Sequence, residues 1–168
     1  MWSLVAHQLE IARALAELDK RRPRQASLRR AVSTAYYALF QALCATSAET
    51  LVGWAKPWEV FNPIYRSLEH RRTLSVLMER GNDGKHPFGD AIERVGNAFK
   101  ELQAAREWAD YNPEPRPSYE ATKNASPFAR NEAIALIELA DEAVKILDRL
   151  DDEARLKLAI RLVTKARK

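Results

Sequence analysis

Glycine and cysteine are scarce in this 168-residue chain, and each scarcity excludes classes of protein. Only 5 glycines occur, and no run alternates Val, Ile and Thr with polar residues. This argues against a β-sandwich, a barrel or a glycine-rich phosphate-binding fold. The single cysteine, Cys44, excludes an internal disulfide framework and a cysteine-based zinc site. Nothing basic adjoins Cys44 in the uncharged middle of a predicted helix, which favours a buried, unreactive thiol.

The motifs that mark common catalytic and cofactor sites are also missing. The chain contains no Walker loop, no GxGxxG and no GxSxG, so we expect no cofactor. His7, His70 and His86 are far apart in sequence and form no HxxxH pair. We therefore expect surface histidines and no metal site.

No segment is typical of a signal peptide or a membrane-spanning helix. The N-terminal residues have no basic lead and are interrupted by Glu10 and Arg13. The longest uncharged run, residues 31–48, has 18 residues and includes several polar ones. A membrane span needs about 20 apolar residues, and a helix without charge on any side is typical of the centre of a soluble bundle. We expect a cytoplasmic protein with no membrane contact.

Apolar residues recur at spacings of three and four along most of the chain, which predicts an all-α fold. The predicted helices cover residues 2–20, 24–47, 58–79, 87–111 and 126–150. Pro63 is expected to break the third helix or to confine its start to a separate turn. The core is expected to bury six residues together: Leu39, Phe40, Val95, Phe99, Ile137 and Val144.

Local signals mark the later boundaries. Residues 112–125 hold three prolines and are predicted to form a long exposed loop. Ser126 and Pro127 are typical of an N-cap and a first helical residue, and Asp151 opens an acidic first turn. These features predict an antiparallel up-and-down bundle of four to five long helices over residues 1–150. A basic helix or tail over residues 151–168 is expected to pack on the bundle or to extend from it.

Basic residues are concentrated in two segments. Residues 20–30 and 154–168 each carry six Lys or Arg and no acid. One interpretation is a pair of phosphate-binding patches. The first would be the nucleic-acid patch Arg21, Arg22, Arg24, Arg29 and Arg30. The other interpretation, which the pattern favours slightly, is solvated helix ends whose charge complements the helix dipole.

A first polar and aromatic motif lies in the second predicted helix. Residues 33–40 read Ser-Thr-Ala-Tyr-Tyr-Ala-Leu-Phe, and Arg30, Thr34 and Tyr37 share one face at i, i+4 and i+7. Tyr36 points nearer the core, one turn before Phe40. Two adjacent tyrosines can offer hydroxyls to a ligand, or they can form an aromatic core with satisfied hydroxyls.

A second motif, residues 106–112, ends the fourth predicted helix. It reads Arg-Glu-Trp-Ala-Asp-Tyr-Asn, and Arg106 and Asp110 are four residues apart, so they can pair along the helix. In a groove, Arg106 would be a fork-shaped anion binder that Asp110 holds in place. On an open surface, the pair would be an ordinary helix-end salt bridge.

Together the two motifs resemble the HEPN family, the higher eukaryotes and prokaryotes nucleotide-binding domain, over about residues 1–150. Members have a helix-two signature close to Ser-Arg-Ala-Tyr-Tyr-Ala-x-Phe-His and a later Arg-x-x-Ala-Asp-Tyr. The latter is matched here by Arg106, Ala109, Asp110 and Tyr111. The resemblance implies an antiparallel helical bundle that commonly dimerises, often beside a separately encoded minimal nucleotidyltransferase.

Many HEPN members are toxin-type ribonucleases that use Arg-x(4–6)-His. Here residues 111–113 are Tyr, Asn and Pro, so no histidine stands at the expected place. Thr34 also replaces a common basic residue, and Gln41 a common histidine. An imidazole titrates near neutral pH, whereas the tyrosine pKa of about 10 makes Tyr111 a poor proton shuttle.

The sequence therefore predicts a non-catalytic HEPN-like domain that binds a nucleotide, RNA or a partner protein. The partner could be the nucleotidyltransferase of a toxin–antitoxin-type pair. The expected ligand-binding residues are Arg30, Thr34, Tyr37, Arg106, Asp110 and Tyr111. One alternative is a metal-independent ribonuclease in which Tyr111 or His70 supplies the proton beside Arg106. Another is a structural dimerisation module, and in every case we expect a two-fold homodimer.

Overall fold

The computed structural model describes residues 2–18, 21–112 and 128–164. Within these ranges the fold is all-helical, which confirms the predicted class. The helices are α1 (Ser3–Glu17), α2 (Gln25–Leu51), α3 (Trp58–Tyr65), α4 (His70–Leu77), α5 (Asp90–Tyr111), α6 (Arg130–Asp148) and α7 (Asp152–Val163). Across the described ranges, no helix has the length and apolar character needed to cross a bilayer.

Helix α2 lies at the centre of the fold. It packs against α1, α3, α5, α6 and α7, and most of residues 31–48 are buried. Because neighbours surround the helix, a charge on almost any face would be desolvated, which explains the uncharged run. Helix α2 ends at Leu51, later than predicted, and is followed by Gly53 with φ of 84°. Glycine is the residue that adopts this left-handed conformation most readily at a helix C-terminus.

The predicted core is confirmed for five of its six members. Leu39, Val95, Phe99, Ile137 and Val144 are fully buried in one cluster. Phe40 is only partly buried and packs on the edge of that cluster. Its ring instead lies 4.1 Å from the ring of His70, measured between centroids.

The predicted third helix is wrong in its extent, because the chain forms two short helices there. Pro63 lies inside α3 and has no N–H for the carbonyl of Glu59. The helix continues for only two residues and ends at Tyr65. The hydroxyl of Ser67 then donates to the Ile64 carbonyl over 2.7 Å, and α4 begins at His70.

The predicted start of the fifth helix is also wrong. Ser126 and Pro127 lie outside the described residues, but Phe128 and Ala129 are not helical and α6 begins at Arg130. The Gln25 amide accepts from the N–H of Phe128 over 3.0 Å and donates to its carbonyl over 2.9 Å. Both main-chain groups of Phe128 therefore bond to the start of α2.

The last described helix packs on the rest of the fold. The Asp151 carboxylate accepts from the N–H of Ala154 over 2.7 Å and caps α7. Leu158 and Leu162 join the main core, and α7 contacts α2 and α4. The tail beyond residue 164 lies outside the described ranges.

Helices α4 and α5 approach unusually closely at Gly96. A Cβ atom at this position would lie 2.2 Å from the carbonyl oxygen of Leu77. No side chain fits there unless the α4 backbone moves. The close approach therefore sets the position of α4, which carries His70.

Candidate functional site

Arg106 lies on α5 where this helix faces α2, and its guanidinium has several partners. Nη2 donates to the hydroxyl of Tyr37 over 2.7 Å and to that of Tyr111 over 3.2 Å. Nε lies 2.9 Å from Oδ2 of Asp110, one helical turn along. This contact is an ion pair without a well-aligned hydrogen bond, because the Nε–H finds no acceptor at suitable geometry.

Aromatic rings surround the same guanidinium. Its central carbon lies 5.8, 5.4 and 5.1 Å from the ring centroids of Tyr36, Tyr37 and Tyr111. The faces of aromatic rings attract cations at such distances. With only 15% of its side chain exposed, Arg106 is held in one orientation by these rings and its polar partners.

Asp110 also connects α5 to α2. The Ser33 hydroxyl donates to Oδ2 of Asp110 over 3.2 Å, the same oxygen that lies against Arg106. Ser33 and Tyr37 are four residues apart and share a face of α2, so this helix binds both the arginine and its counter-ion. The site therefore forms because two pairs of residues, each four positions apart, face each other on α2 and α5.

Part of Arg106 remains available to a ligand. Among the described residues, Nη1 has no hydrogen-bond or ion-pair partner, and it is not a buried atom. The hydroxyls of Tyr37 and Tyr111 accept from Nη2, so each keeps its own hydrogen to donate. The site thus presents several N–H and O–H donors, a combination suited to an oxyanion.

The charge of Arg106 is secure in these surroundings. Burial alone would lower the pKa of Arg106, but the hydrogen bond to Tyr37 and the nearby Tyr37 and Asp110 raise it above its ordinary value. The guanidinium is therefore positively charged at every pH of biological interest.

His70 meets the site from α4. Its Nδ1 lies 2.6 Å from the hydroxyl of Tyr36, which is buried. Burial raises the pKa of Tyr36, while burial and the nearby Arg106 lower the pKa of His70. A neutral phenol and a neutral imidazole follow at pH 7, and we assign the phenol as the donor to Nδ1, which places the ring hydrogen on Nε2.

We call these residues the Arg106 cluster: Ser33, Tyr36, Tyr37, His70, Arg106, Asp110 and Tyr111. Four predicted ligand-binding residues belong to it, namely Tyr37, Arg106, Asp110 and Tyr111. His70, considered above only as an alternative proton donor, also belongs. No local signal identified it, because only the packing of α4 against α5 brings His70 to this place.

The structure places Arg30 and Thr34, the other two predicted ligand-binding residues, elsewhere. The hydroxyl of Thr34 donates to the carbonyl of Arg30 over 2.7 Å, within the same helix. Within the described part of the chain, neither side chain forms a hydrogen bond with Arg106. Ser33, one position before Thr34, faces α5 in its place.

The first basic patch lies at the start of α2. Arg21, Arg22, Arg24 and Arg30 are exposed there, whereas Arg29 is half-buried. The Arg29 guanidinium lies 4.6 Å from the centroid of Trp108 on α5. Arg29 therefore points toward the helix that carries Arg106.

The second basic segment makes several contacts within the protein. Nη2 of Arg161 pairs with Glu79 over 2.8 Å, and Arg155 donates to the carbonyls of Asp148 and Leu150. Lys165, Arg167 and Lys168 lie outside the described residues. Arg155 and Arg161 thus have partners within the protein.

The remaining titratable candidates show no metal site. No group of three or more His, Cys, Asp or Glu side chains converges among the described residues. The surface prediction is right for His7 but wrong for His86, which is buried and whose Nδ1 accepts from the N–H of Phe88 over 3.1 Å. Cys44 is buried as predicted, and burial raises the pKa of its thiol to about 12.

No family model matches this chain, and no curated protein or solved structure matches it either. The geometry of the Arg106 cluster therefore carries the functional inference.

Proposed function

We propose that this chain is a HEPN-like domain that binds the phosphate of a nucleotide or RNA at the Arg106 cluster. The supporting observation is the state of Arg106, which is charged, held by Tyr37, Tyr111 and Asp110, and left with Nη1 unpartnered among the described residues. Holding the guanidinium in place before binding lowers the entropy cost of capturing an anion. The exposed arginines at the start of α2 add a positive field that attracts nucleic acid.

Binding to a short fluorescein-labelled single-stranded RNA, measured by fluorescence anisotropy, tests this proposal. Arg106→Ala is expected to weaken binding about 10- to 100-fold, because hydrogen bonds to charged groups contribute about 1.5–3 kcal/mol. Arg106→Lys keeps the charge but cannot bond Tyr37 and Tyr111 while it also meets the ligand, so it is expected to restore only part of the affinity. Wild-type affinity is expected to fall steeply as salt increases.

Arg94→Ala is the matched control, because it removes the same charge from an exposed position of the same helix. It is expected to change the affinity less than twofold, as loosely placed surface charges usually do. Equal losses for the two variants would contradict the proposal. So would a lower thermal stability of Arg106→Ala with unchanged binding per folded molecule, which would make Arg106 a structural residue.

A second candidate function is metal-independent RNA cleavage, favoured by the position of His70. Tyr36 fixes Nδ1, and Nε2 has no hydrogen-bond partner among the described residues. In such a reaction the RNA 2′-hydroxyl oxygen bonds to phosphorus as it loses its proton, and the 5′ oxygen leaves and gains one. For this reaction His70 would need the other tautomer, in which Nδ1–H donates to the Tyr36 hydroxyl and the unprotonated Nε2 accepts the 2′-hydroxyl proton and then gives a proton to the 5′ oxygen, beside the charge of Arg106.

Incubation of the purified protein with the same RNA separates the two functions. The leading proposal expects intact RNA, whereas the ribonuclease expects cleavage that both Arg106→Ala and His70→Asn abolish. The two-fold homodimer and a nucleotidyltransferase partner stay predictions. Light scattering over a concentration series tests the homodimer, and co-purification with a co-expressed nucleotidyltransferase tests the partner.

A further inference from the structure

A cavity of about 270 Å³ lies between the start of α1, the middle of α2 and helix α3. Six residues define this aromatic pocket: Trp2, Gln41, Trp54, Trp58, Phe61 and Tyr65. The rings of Trp54 and Phe61 stack with centroids 4.3 Å apart, and the rings of Trp2 and Trp54 are 4.8 Å apart. Among the described residues, no charged side chain lines the cavity.

Two features of the aromatic pocket favour a ligand there. Trp54 and Trp58 are 51% and 58% exposed, which leaves large apolar rings in water. The amide of Gln41 makes no hydrogen bond within the described ranges, and its Oε1 is buried. Buried polar atoms are normally paired, so an unpaired amide in a pocket wall favours a ligand with polar atoms.

One kind of occupant would correct both deficits. A flat ring system covers the tryptophan faces by stacking, and polar atoms on its edge pair with an amide. A nucleobase has both properties, and glutamine pairs well with the edge of adenine. A simple apolar molecule would cover the rings but leave the amide of Gln41 unpaired.

We propose that the aromatic pocket binds a nucleobase, with adenine as the best match to Gln41. Gln41 lies four residues after Tyr37 on α2, about 6 Å along the helix and on nearly the same face. The pocket therefore adjoins the Arg106 cluster. If the proposed function is right, base and phosphate belong to one ligand, with the base beside Gln41 and the phosphate at Arg106.

The size and lining of the cavity agree with a base inside the aromatic pocket and a phosphate outside it. Its volume lies just below the range of about 300–1,000 Å³ that is typical of drug-sized ligands, so it has room for one fused ring system. The uncharged walls offer nothing to a phosphate, which would stay outside the cavity. The donors of Tyr37 and Arg106 are the nearby groups that suit it.

Tryptophan fluorescence during titration with adenosine tests the pocket alone, because adenosine carries no phosphate. Three of the 4 tryptophans line the pocket, and the fourth, Trp108, packs on Phe128. Saturable quenching is expected, and it should persist in Trp108→Phe. Trp58→Ala, a change at a mostly exposed ring, is expected to weaken adenosine binding about tenfold, as loss of one stacking partner typically does.

Gln41→Leu tests the amide separately from the rings. It should weaken adenosine binding about tenfold while full quenching is still reached at saturation, because an unpaired base edge costs binding but the rings still stack. The proposal is overturned if folded wild-type protein shows no saturable response to adenosine at millimolar concentration. It is also overturned if choline, a cation that aromatic cages bind, quenches and adenosine does not.

Adenosine monophosphate separates this proposal from the proposed function. Arg106→Ala should leave adenosine affinity unchanged and reduce the affinity for the monophosphate to the adenosine level. If adenosine binds but Arg106→Ala does not affect the monophosphate, the base pocket stands and the phosphate role of Arg106 fails. If RNA binding depends on Arg106 but adenosine does not bind, the base pocket fails alone.

Discussion

Tyr37 and Gln41 are one turn apart on α2, but they belong to surroundings of opposite kinds. The Arg106 cluster around Tyr37 is held by hydrogen bonds and an ion pair from α2, α4 and α5. The aromatic pocket around Gln41 is held by stacked rings, and Phe61 is buried outside the main core cluster. Directional bonds fix a charged group in one orientation, whereas stacked rings provide area with less directional constraint.

The largest effect is expected from a substitution that disrupts the aromatic pocket and leaves the Arg106 cluster intact. Phe61→Ala removes the one buried residue of α3, which stacks on Trp54. Loss of a buried phenylalanine typically costs about 3–5 kcal/mol. Because Phe61 lies outside the main core, we expect this loss to open α3 locally, with amide hydrogen exchange about 100- to 4,000-fold faster there.

Amide protection in α5 should persist in Phe61→Ala, since the Arg106 cluster does not depend on α3 for its bonds. Val60→Ala is the control, because Val60 is 52% exposed and adjoins Phe61. Equal loss of amide protection in α3 and α5 would show that the aromatic pocket and the Arg106 cluster unfold as one unit.

The second-largest effect is expected from a substitution that disturbs the Arg106 cluster. Gly96→Ala places a methyl group against the Leu77 carbonyl and must displace α4, at an expected cost of about 1–3 kcal/mol in unfolding free energy. His70 moves with α4, so its bond to Tyr36 should weaken while adenosine quenching is retained. Denaturant unfolding measures the loss. The control is Asn97→Ala at the exposed neighbouring position, which should be neutral or slightly stabilising because alanine favours helix.

A smaller change sharpens the comparison within the Arg106 cluster. Tyr36→Phe removes the hydroxyl that meets Nδ1 of His70, at an expected cost of about 1 kcal/mol. Because this hydroxyl donates to the neutral imidazole, its loss should also raise the pKa of His70, which NMR titration can follow. Tyr37→Phe, a change to the neighbouring ring that bonds Arg106, should leave the His70 titration nearly unchanged. An unshifted His70 in Tyr36→Phe would disprove the donor assignment.

The smallest expected effect is a pH dependence of stability. Burial and Arg106 lower the pKa of His70, so the unfolded chain binds a proton more readily than the folded one. The contribution of His70 is therefore complete above about pH 6.5, the ordinary histidine value, and is lost as the pH falls through the lower folded pKa. Thermal melts from pH 7.5 downward should show a shallower decline for His70→Asn. His7→Gln, at an exposed site, should follow the wild type.

Periodicity and local signals predicted much of the fold. The uncharged run of residues 31–48 identified the central helix, and Asp151 marked the start of α7. The predicted helix over residues 58–79 was wrong in its extent. Pro63 lies within α3, which ends two residues later, because a short helix can continue past a proline. The start of α6 was missed because the Gln25 amide takes both main-chain groups of Phe128, a contact between residues 103 positions apart.

The candidate site also contains residues that the sequence predicted and residues that only the tertiary fold brings together. Arg106 and Asp110 are one turn apart, so sequence spacing alone shows that they can pair. His70 comes from another helix, and only the packing of α4 on α5 brings it to Tyr36. The aromatic pocket left no sequence signal, because Trp2, Trp54 and Trp58 meet only through the tertiary fold.

The way Arg106 is held also bears on the shape of the anion that we propose it binds. Nη2 already donates to two hydroxyls, so only Nη1 can meet a ligand directly. A planar carboxylate binds arginine best through two parallel N–H groups, and this two-point grip is no longer available. A tetrahedral phosphoryl group instead directs its oxygens in several directions, toward Nη1 and the two phenolic hydrogens. Under the proposed function, shape as well as charge therefore favours phosphate over the acidic side chains of other proteins.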